Sequence, residues 1–188
     1  YEIDFFIGLP ESEDHRVAEL VPFDIVRNEN SQQQKIKLTD AQKSQRNSAG
    51  TLDIQNTKAW RQAEIPSANG QGNARGLAKL YSLIVPEDNN LKLLKDDTLK
   101  QMTTMQIEGR DLVLAVQVRW GVGFILNKHK IIYGPVEGAF GHSGYGGSCA
   151  FGDPENKIGI SYVMNRMLDN FNADGRSIEL INATYDCL

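Results

Sequence analysis

Residues 140–165 read FGHSGYGGSCAFGDPENKIGISYVMN, and the folding of this stretch decides the architecture around it. Asp153-Pro154-Glu155-Asn156 places proline at the second position of a turn and asparagine at the fourth, the chemistry of a tight connection between two strands. The second strand is expected over 158–164, where Ile158, Ile160, Tyr162 and Met164 alternate with Gly159, Ser161 and Val163. Both of its faces then carry small or apolar groups, so the strand is expected to be covered on both sides. The first strand runs back to His142-Ser143-Gly144, followed by Tyr145-Gly146-Gly147. A histidine, a serine and so many glycines in a core hairpin call for a reason beyond packing.

Working outward, 112–116 (LVLAV) and 121–126 (GVGFIL) read as further strands of the same antiparallel sheet. After them, Ile178, Ile181 and Tyr185 form a helical stripe that Asp174 or Ser177 can cap, and this helix is expected to lie across one face of the sheet. Upstream, Asn73 can cap a helix whose apolar positions Ala74, Leu77, Ala78, Tyr81 and Ile84 share one side, ending at Pro86. Another helix is expected near Asp96-Asp97, with Leu99 and Met102 inward. Residues 28–58 are rich in Gln, Asn and Ser and weakly periodic, as in a long surface excursion. The expected fold class is α/β of the α+β kind, an antiparallel sheet with flanking helices. It is read as one domain over 1–188, with sheet and terminal helix in 112–188 and no internal repeat.

The chain has 188 residues, 40% of them hydrophobic, enough for one sizeable core. Its 20 basic and 24 acidic side chains are interspersed and give a net charge of -4. No basic stripe is present for a phosphate backbone, so nucleic acid is not an expected partner. No apolar run reaches the roughly 18 residues of a membrane span, and no targeting segment is recognisable. A soluble chain is expected, its compartment left open. Cys149 and Cys187 make neither a disulfide framework nor a metal-ligand spacing, and reduced thiols are expected. Tyr1-Glu2-Ile3-Asp4-Phe5-Phe6-Ile7 begins with bulky apolar residues and no initiator methionine, which reads as part of a longer chain.

The run through His142-Ser143-Gly144 and its hairpin resembles the last third of the serine β-lactamase and penicillin-binding-protein family, in particular the class C β-lactamase-related esterases. In that family a Lys-Thr-Gly triplet, or a His-x-Gly variant, lines one wall of the active-site cleft. Two other segments share the resemblance in the expected order. DFFIGLPESEDHRVAEL (4–20) is similar to the family's link after its helical lobe, and EIPSANGQGNARGLAKLY (64–81) to its loop and helix beside the active site.

The resemblance implies the later part of the β-lactamase/transpeptidase-like fold and acyl-enzyme chemistry on a small ester, amide or peptide, without a metal or a cofactor. It implies the rest of the same domain as a partner. His142, Ser143 and Gly144 would bind substrate, and the backbone N–H of Tyr145 would be an oxyanion donor beside the nucleophile's own N–H. The residues agree on their own terms. Gly144 removes a side chain where an extended substrate could lie against the strand, and Ser143 offers a hydroxyl. His142 stands where the family has lysine. An imidazole is mostly neutral at neutral pH, so ester, amide or peptide substrates are expected over carboxylate-bearing β-lactams.

The family's nucleophile lies in Ser-x-x-Lys. The family's second motif is Tyr-x-Asn or Ser-x-Asn, and neither motif is expected here: no serine is followed three residues later by lysine, and no tyrosine two later by asparagine. The chain is therefore expected to supply a cleft wall and no nucleophile, and to be inactive alone; a binding or assembly role is the alternative.

Other residues carry less. His15 and His129 read as surface residues, and three scattered histidines make no zinc site. Asn69-Gly70-Gln71-Gly72 lacks the context of a phosphate loop. Cys149 reads as a core filler. Ser143 and His142 cannot form a dyad, since neighbours on a strand point to opposite faces. Asn182-Ala183-Thr184 matches a glycosylation sequon by accident.

Overall fold

In a computed structural model of the chain, the described residues are 1–22, 40, 43, 54–128, 130, 132–168 and 174–188. Most of the 28–58 excursion and His129 lie outside them. Its end, at 54–56, is a short 3-10 turn leading into helix α1 (Lys58–Gln62), which Thr57 caps by accepting from Trp60 N.

Six strands form one antiparallel sheet. They are β3 (Ile107–Arg110), β4 (Gln117–Trp120), β5 (Ile125–Leu126), β6 (Phe140–Ser143), β7 (Cys149–Asp153) and β8 (Ile158–Tyr162), in that spatial order. A separate pair joins β1 (Phe5–Ile7) to β2 (Gly70–Gly72), also antiparallel. Helix α2 (Ala74–Ile84) and helix α4 (Gly175–Tyr185) supply the two layers, and α3 (Asp96–Thr103) leads into β3.

The hairpin of β7 and β8 turns at Asp153 as expected. The Asp153 carboxylate accepts from Glu155 N at 2.9 Å and Asn156 N at 3.1 Å, so the side chain itself organises the turn. Tyr185 OH donates to the same carboxylate at 2.7 Å, which ties the end of α4 to this turn.

Alternation along the central strands builds a core on each face. On one side Ile125, Cys149 and Phe151 pack with Tyr133 and Ile181, and Ile178 and Tyr185 of α4 close over them. On the other, Phe140 and Ala150 pack with Tyr81, Ile84 and Val85 of α2 and its end. Phe140 and Phe151 are wholly buried, each contributing about 1.5–3 kcal/mol by removal of its ring from water. Gly159 lets α2 come close to β8: a β-carbon there would collide with the Ala78 carbonyl, and its N–H donates to Ser82 Oγ at 3.2 Å.

Asn73 caps α2, accepting from Gly76 N at 2.8 Å, and the helix ends at Val85 before Pro86. Asp174 caps α4, accepting from Arg176 N and Ser177 N. Leu99 of α3 packs against the second core, and Met102 is half-buried.

Four expectations are corrected. Residues 112–116 are a turn, because the Asp111 carboxylate captures Val113 N and Leu114 N at 2.8 Å each and Ala115 takes a φ of 59°. The strands on either side of it are β3 and β4. Of 121–126 only the last two residues are strand; Gly121 N bonds to Phe124 O at 2.9 Å and turns the chain. β8 stops at Tyr162 instead of Met164. Gly70–Gly72, read as loop, pairs with β1.

Candidate active-site wall

The register of β6 exposes a stretch of backbone. On one side β7 pairs with all of it, from Phe140↔Gly152 to Ser143↔Cys149. On the other, β5 pairs only with Phe140 and Gly141, through Leu126 and Ile125. The chain before β5 turns away at 121–124, so among the described residues no strand lies beside the outer edge of His142 and Ser143.

Beyond β6 the chain makes a turn over residues 144–147. Gly147 N donates to Gly144 O at 3.2 Å, and Gly144 N donates to Ser148 O at 2.7 Å. Gly146, third in the turn, has a φ of 97°, as a type II turn requires, and Gly147 has 113°. Tyr145 occupies the first corner and lines the cleft. A β-carbon on Gly144 would meet Ser148 Oγ, so that glycine serves the turn as well as the cleft.

His142 and Ser143 point to opposite faces. His142 is exposed, its ring centroid 5.5 Å from that of Trp120, and its Nδ1 lies 2.7 Å from Ser143 O. A carbonyl only accepts, so Nδ1 carries the proton and Nε2 of the neutral ring is an acceptor. Ser143 Oγ is turned to the core, 3.4 Å from Tyr133 OH, which is fully buried. The hydroxyl expected to face substrate thus braces the strand from behind, and Ser143 presents backbone to the cleft.

These residues line a cleft of about 1160 Å³. Asn165 and Met167 extend its first wall. The turn at 112–116 contributes Val113 and Leu114. The facing wall comes from β1, β2, the segment after β1 and helix α1, including Phe5, Gln71, Arg16 and Trp60. The two segments at 4–20 and 64–81, picked out separately in the sequence, meet here through the β1–β2 pair.

Charges hold this second wall. Arg16 pairs with Asp4 and, at 2.6 Å, with Glu13; Arg61 donates to Asp14 at 2.7 and 2.9 Å; Asn73 donates to Asp4 at 2.5 Å. The Arg16 guanidinium hydrogen-bonded to Asp4 keeps that carboxyl below its usual range, and Arg61 does the same for Asp14.

The remaining candidates fall into place. His15 is exposed and bonds Ser12 O at 2.8 Å. Cys149 is buried, and burial pushes its thiol up to about 11, the behaviour of an inert core residue. Asn182 is an exposed residue of α4. Among the described residues no group of three or more His, Cys, Asp or Glu could hold a metal, and no helix is long and apolar enough to cross a membrane. The expectation that the second motif is missing is corrected: Ser67-Ala68-Asn69 has the Ser-x-Asn spacing and reaches the site. Ser67 and Ala68 line the cleft, while Asn69, almost wholly buried, accepts from Ile65 N and donates to Trp60 O at 2.7 Å and to Ala63 O. It shapes the loop before β2.

A six-stranded antiparallel sheet between helices, with a glycine-turned strand end at the cleft, defines a β-lactamase-like protein. The Beta-lactamase family matches residues 3–183, and the chain belongs to it. It is similar to a family VIII carboxylesterase of known crystal structure, 41% identical with a TM-score of 0.85 over 98% of this chain and 47% of that one. It resembles a penicillin-binding-protein homolog from Caulobacter crescentus, 38% identical with a TM-score of 0.80 over 99% of this chain and 49% of the other. It is also 33% identical, over 56% of this chain and 24% of the relative, to the esterase/beta-lactamase LipL of Mycobacterium tuberculosis strain ATCC 25618 / H37Rv. The chain thus spans about half the length of these solved structures and about a quarter of the curated relative.

Proposed function

We propose that this chain is the later part of a longer serine hydrolase working through an acyl-enzyme on esters, amides or peptides. The observation that carries the reading is the uncovered edge of His142 and Ser143 running into the glycine turn at Tyr145, on a cleft wall. A nucleophilic serine, with a lysine or tyrosine to take its proton, would come from the part of the domain outside this sequence. Substrate would lie along the β6 edge, its carbonyl oxygen directed to the Tyr145 amide, with His142 beside it.

His142, with Nδ1 occupied by Ser143 O, offers Nε2 as an acceptor to a neutral substrate and no permanent charge to a carboxylate. Val113, Leu114 and Phe5 add apolar lining, which favours an apolar acyl or alcohol group over a charged one. The three relatives, two described as esterases and one as a penicillin-binding-protein homolog, support the same class of chemistry.

The test is kcat/KM for a neutral ester and its carboxylate-bearing analogue in the full-length protein. His142→Ala is expected to lower both rates. His142→Lys is expected to move the preference toward the carboxylate by up to roughly a hundredfold, the worth of one charge-assisted hydrogen bond. The 188-residue chain alone is expected to be silent on both. Identical rates and ratios in all three proteins would make His142 structural and remove the assignment. No turnover by the full-length protein would leave a binding or assembly role.

A further inference from the structure

Arg176 stands in the first turn of α4, where the helix dipole disfavours a cation, and the cap of that helix is already supplied by Asp174. Its placement answers to something else. The guanidinium donates through Nη2 to Gly146 O at 3.2 Å and through Nη1 to Arg166 O at 2.9 Å. Its Nε lies 3.1 Å from both oxygens of Asp174, and Nη2 is 2.5 Å from one of them. The ring of Tyr162 lies beneath, 5.9 Å from its centroid. Gly146 O accepts a second bond from Leu168 N at 3.1 Å. The Asp174 carboxylate, nearly buried, fills the space where a β-carbon of Gly147 would stand.

One side chain therefore joins three pieces of chain: the 144–147 turn, the 166–168 segment and the start of α4. Two of these carry cleft-lining residues, Tyr145 on the first and Met167 on the second. The turn is built on glycines at positive φ, the residues with most conformational freedom to lose. An amide serves as an oxyanion donor only when its direction is fixed before the charge develops. Asp174 in turn holds the guanidinium by a forked contact that a lysine could not reproduce.

We propose that Arg176, held by Asp174, is a positioning residue that clamps the glycine turn and so fixes the Tyr145 amide toward the reacting carbonyl. This rests on the hydrolase reading above. It assigns Arg176 no contact with substrate.

The test uses the full-length protein and three variants. Arg176→Gln removes the charge and the fork, Arg176→Lys keeps the charge alone, and Asp174→Asn keeps a competent helix cap while releasing the guanidinium. Two readouts are taken: amide hydrogen exchange in residues 144–148 and 178–185, and steady-state kinetics on a neutral aryl ester. Arg176→Gln is expected to speed exchange in 144–148 by roughly 10- to 100-fold, the loss of the one charge-assisted hydrogen bond to Gly146 O, and to leave 178–185 unchanged. Its kcat is expected to fall about 10- to 100-fold with KM within about twofold, as for a displaced oxyanion donor. Arg176→Lys should fall between it and wild type, and Asp174→Asn should loosen 144–148 without fraying 178–185.

Unchanged exchange in 144–148, or equal acceleration in both segments, would overturn the clamp. So would faster exchange with kcat untouched in an active protein. Should wild type itself show no ester turnover, the hydrolase reading fails, and the exchange measurement still decides whether Arg176 holds the turn.

Discussion

On one side of the cleft, β6 and the glycine turn rest on a continuous ladder, with Phe140 and Phe151 buried behind them on the two faces. On the other, β1 and β2 form a three-residue pair whose surroundings are joined by Arg16, Arg61, Asn73 and Asn69. The first wall is fixed chiefly by apolar area and backbone hydrogen bonds, which have no sharp dependence on salt, with one ion pair, Arg176–Asp174, at its glycine turn. The second is fixed by side-chain charges and one buried amide. A cleft with one wall of each kind can keep the chemistry in place while the facing wall responds to its medium.

The sharpest attack on this comparison is Phe140→Ala. The ring is wholly buried between Tyr81, Phe124 and Ala150, so its removal is expected to cost about 3–5 kcal/mol of unfolding free energy, read by denaturant titration. A loss comparable with a surface substitution would mean that the first wall is not held by its core.

Asn69→Ala is expected to cost less, about 1–3 kcal/mol, through the Ile65, Trp60 and Ala63 backbone groups left without their partner. Its effect should show in hydrogen exchange near β2 and leave 140–153 unchanged. Equal loosening of both regions would dissolve the distinction between them.

The smallest effect is expected from the medium. Raising salt shortens the screening length from about 10 Å at 0.1 M to about 3 Å at 1 M. Exchange near the exposed Arg16 pair should quicken, that near the half-buried Arg61 pair less so, while that of 144–148, beside the buried Asp174 carboxylate, changes little. Acid should act on both walls. Asp4, Asp14 and Asp174 are each held below the ordinary value of 3.8 by an arginine. Each therefore contributes stability above that pH and loses it as pH falls from there through its lower folded value. Exchange followed from pH 5 toward pH 2, with the intrinsic rate divided out, checks the sign; protection rising toward acid would reverse it.

What the sequence disclosed follows the same division. The Asp153 turn, the Asn73 and Asp174 caps and the stripe Ile178, Ile181, Tyr185 are local patterns, and each sits where its chemistry placed it. The 112–116 run shows how such reading fails. Its apolar, β-branched composition argues for a strand, but one carboxylate at Asp111, just outside the run, bends it by taking two of its amides. The short β1–β2 pair has no local signature, because it depends on contacts across more than sixty positions. The His-Ser-Gly triplet was legible through its resemblance to a family. That Ser143 faces Tyr133 and that Arg176 reaches Gly146 were not, since both depend on how distant elements are stacked.

The two-residue length of β5 leaves beside His142 and Ser143 a gap in the sheet about 7 Å long, at 3.4 Å per residue. An edge of five or six open residues is a template on which another molecule's strand can add, the start of aggregation. Two residues would suffice for a small carbonyl compound in the proposed site and give a foreign strand too few bonds to repay its ordering. The brevity of β5 thus protects the protein from its own kind at the spot proposed to stay open to others.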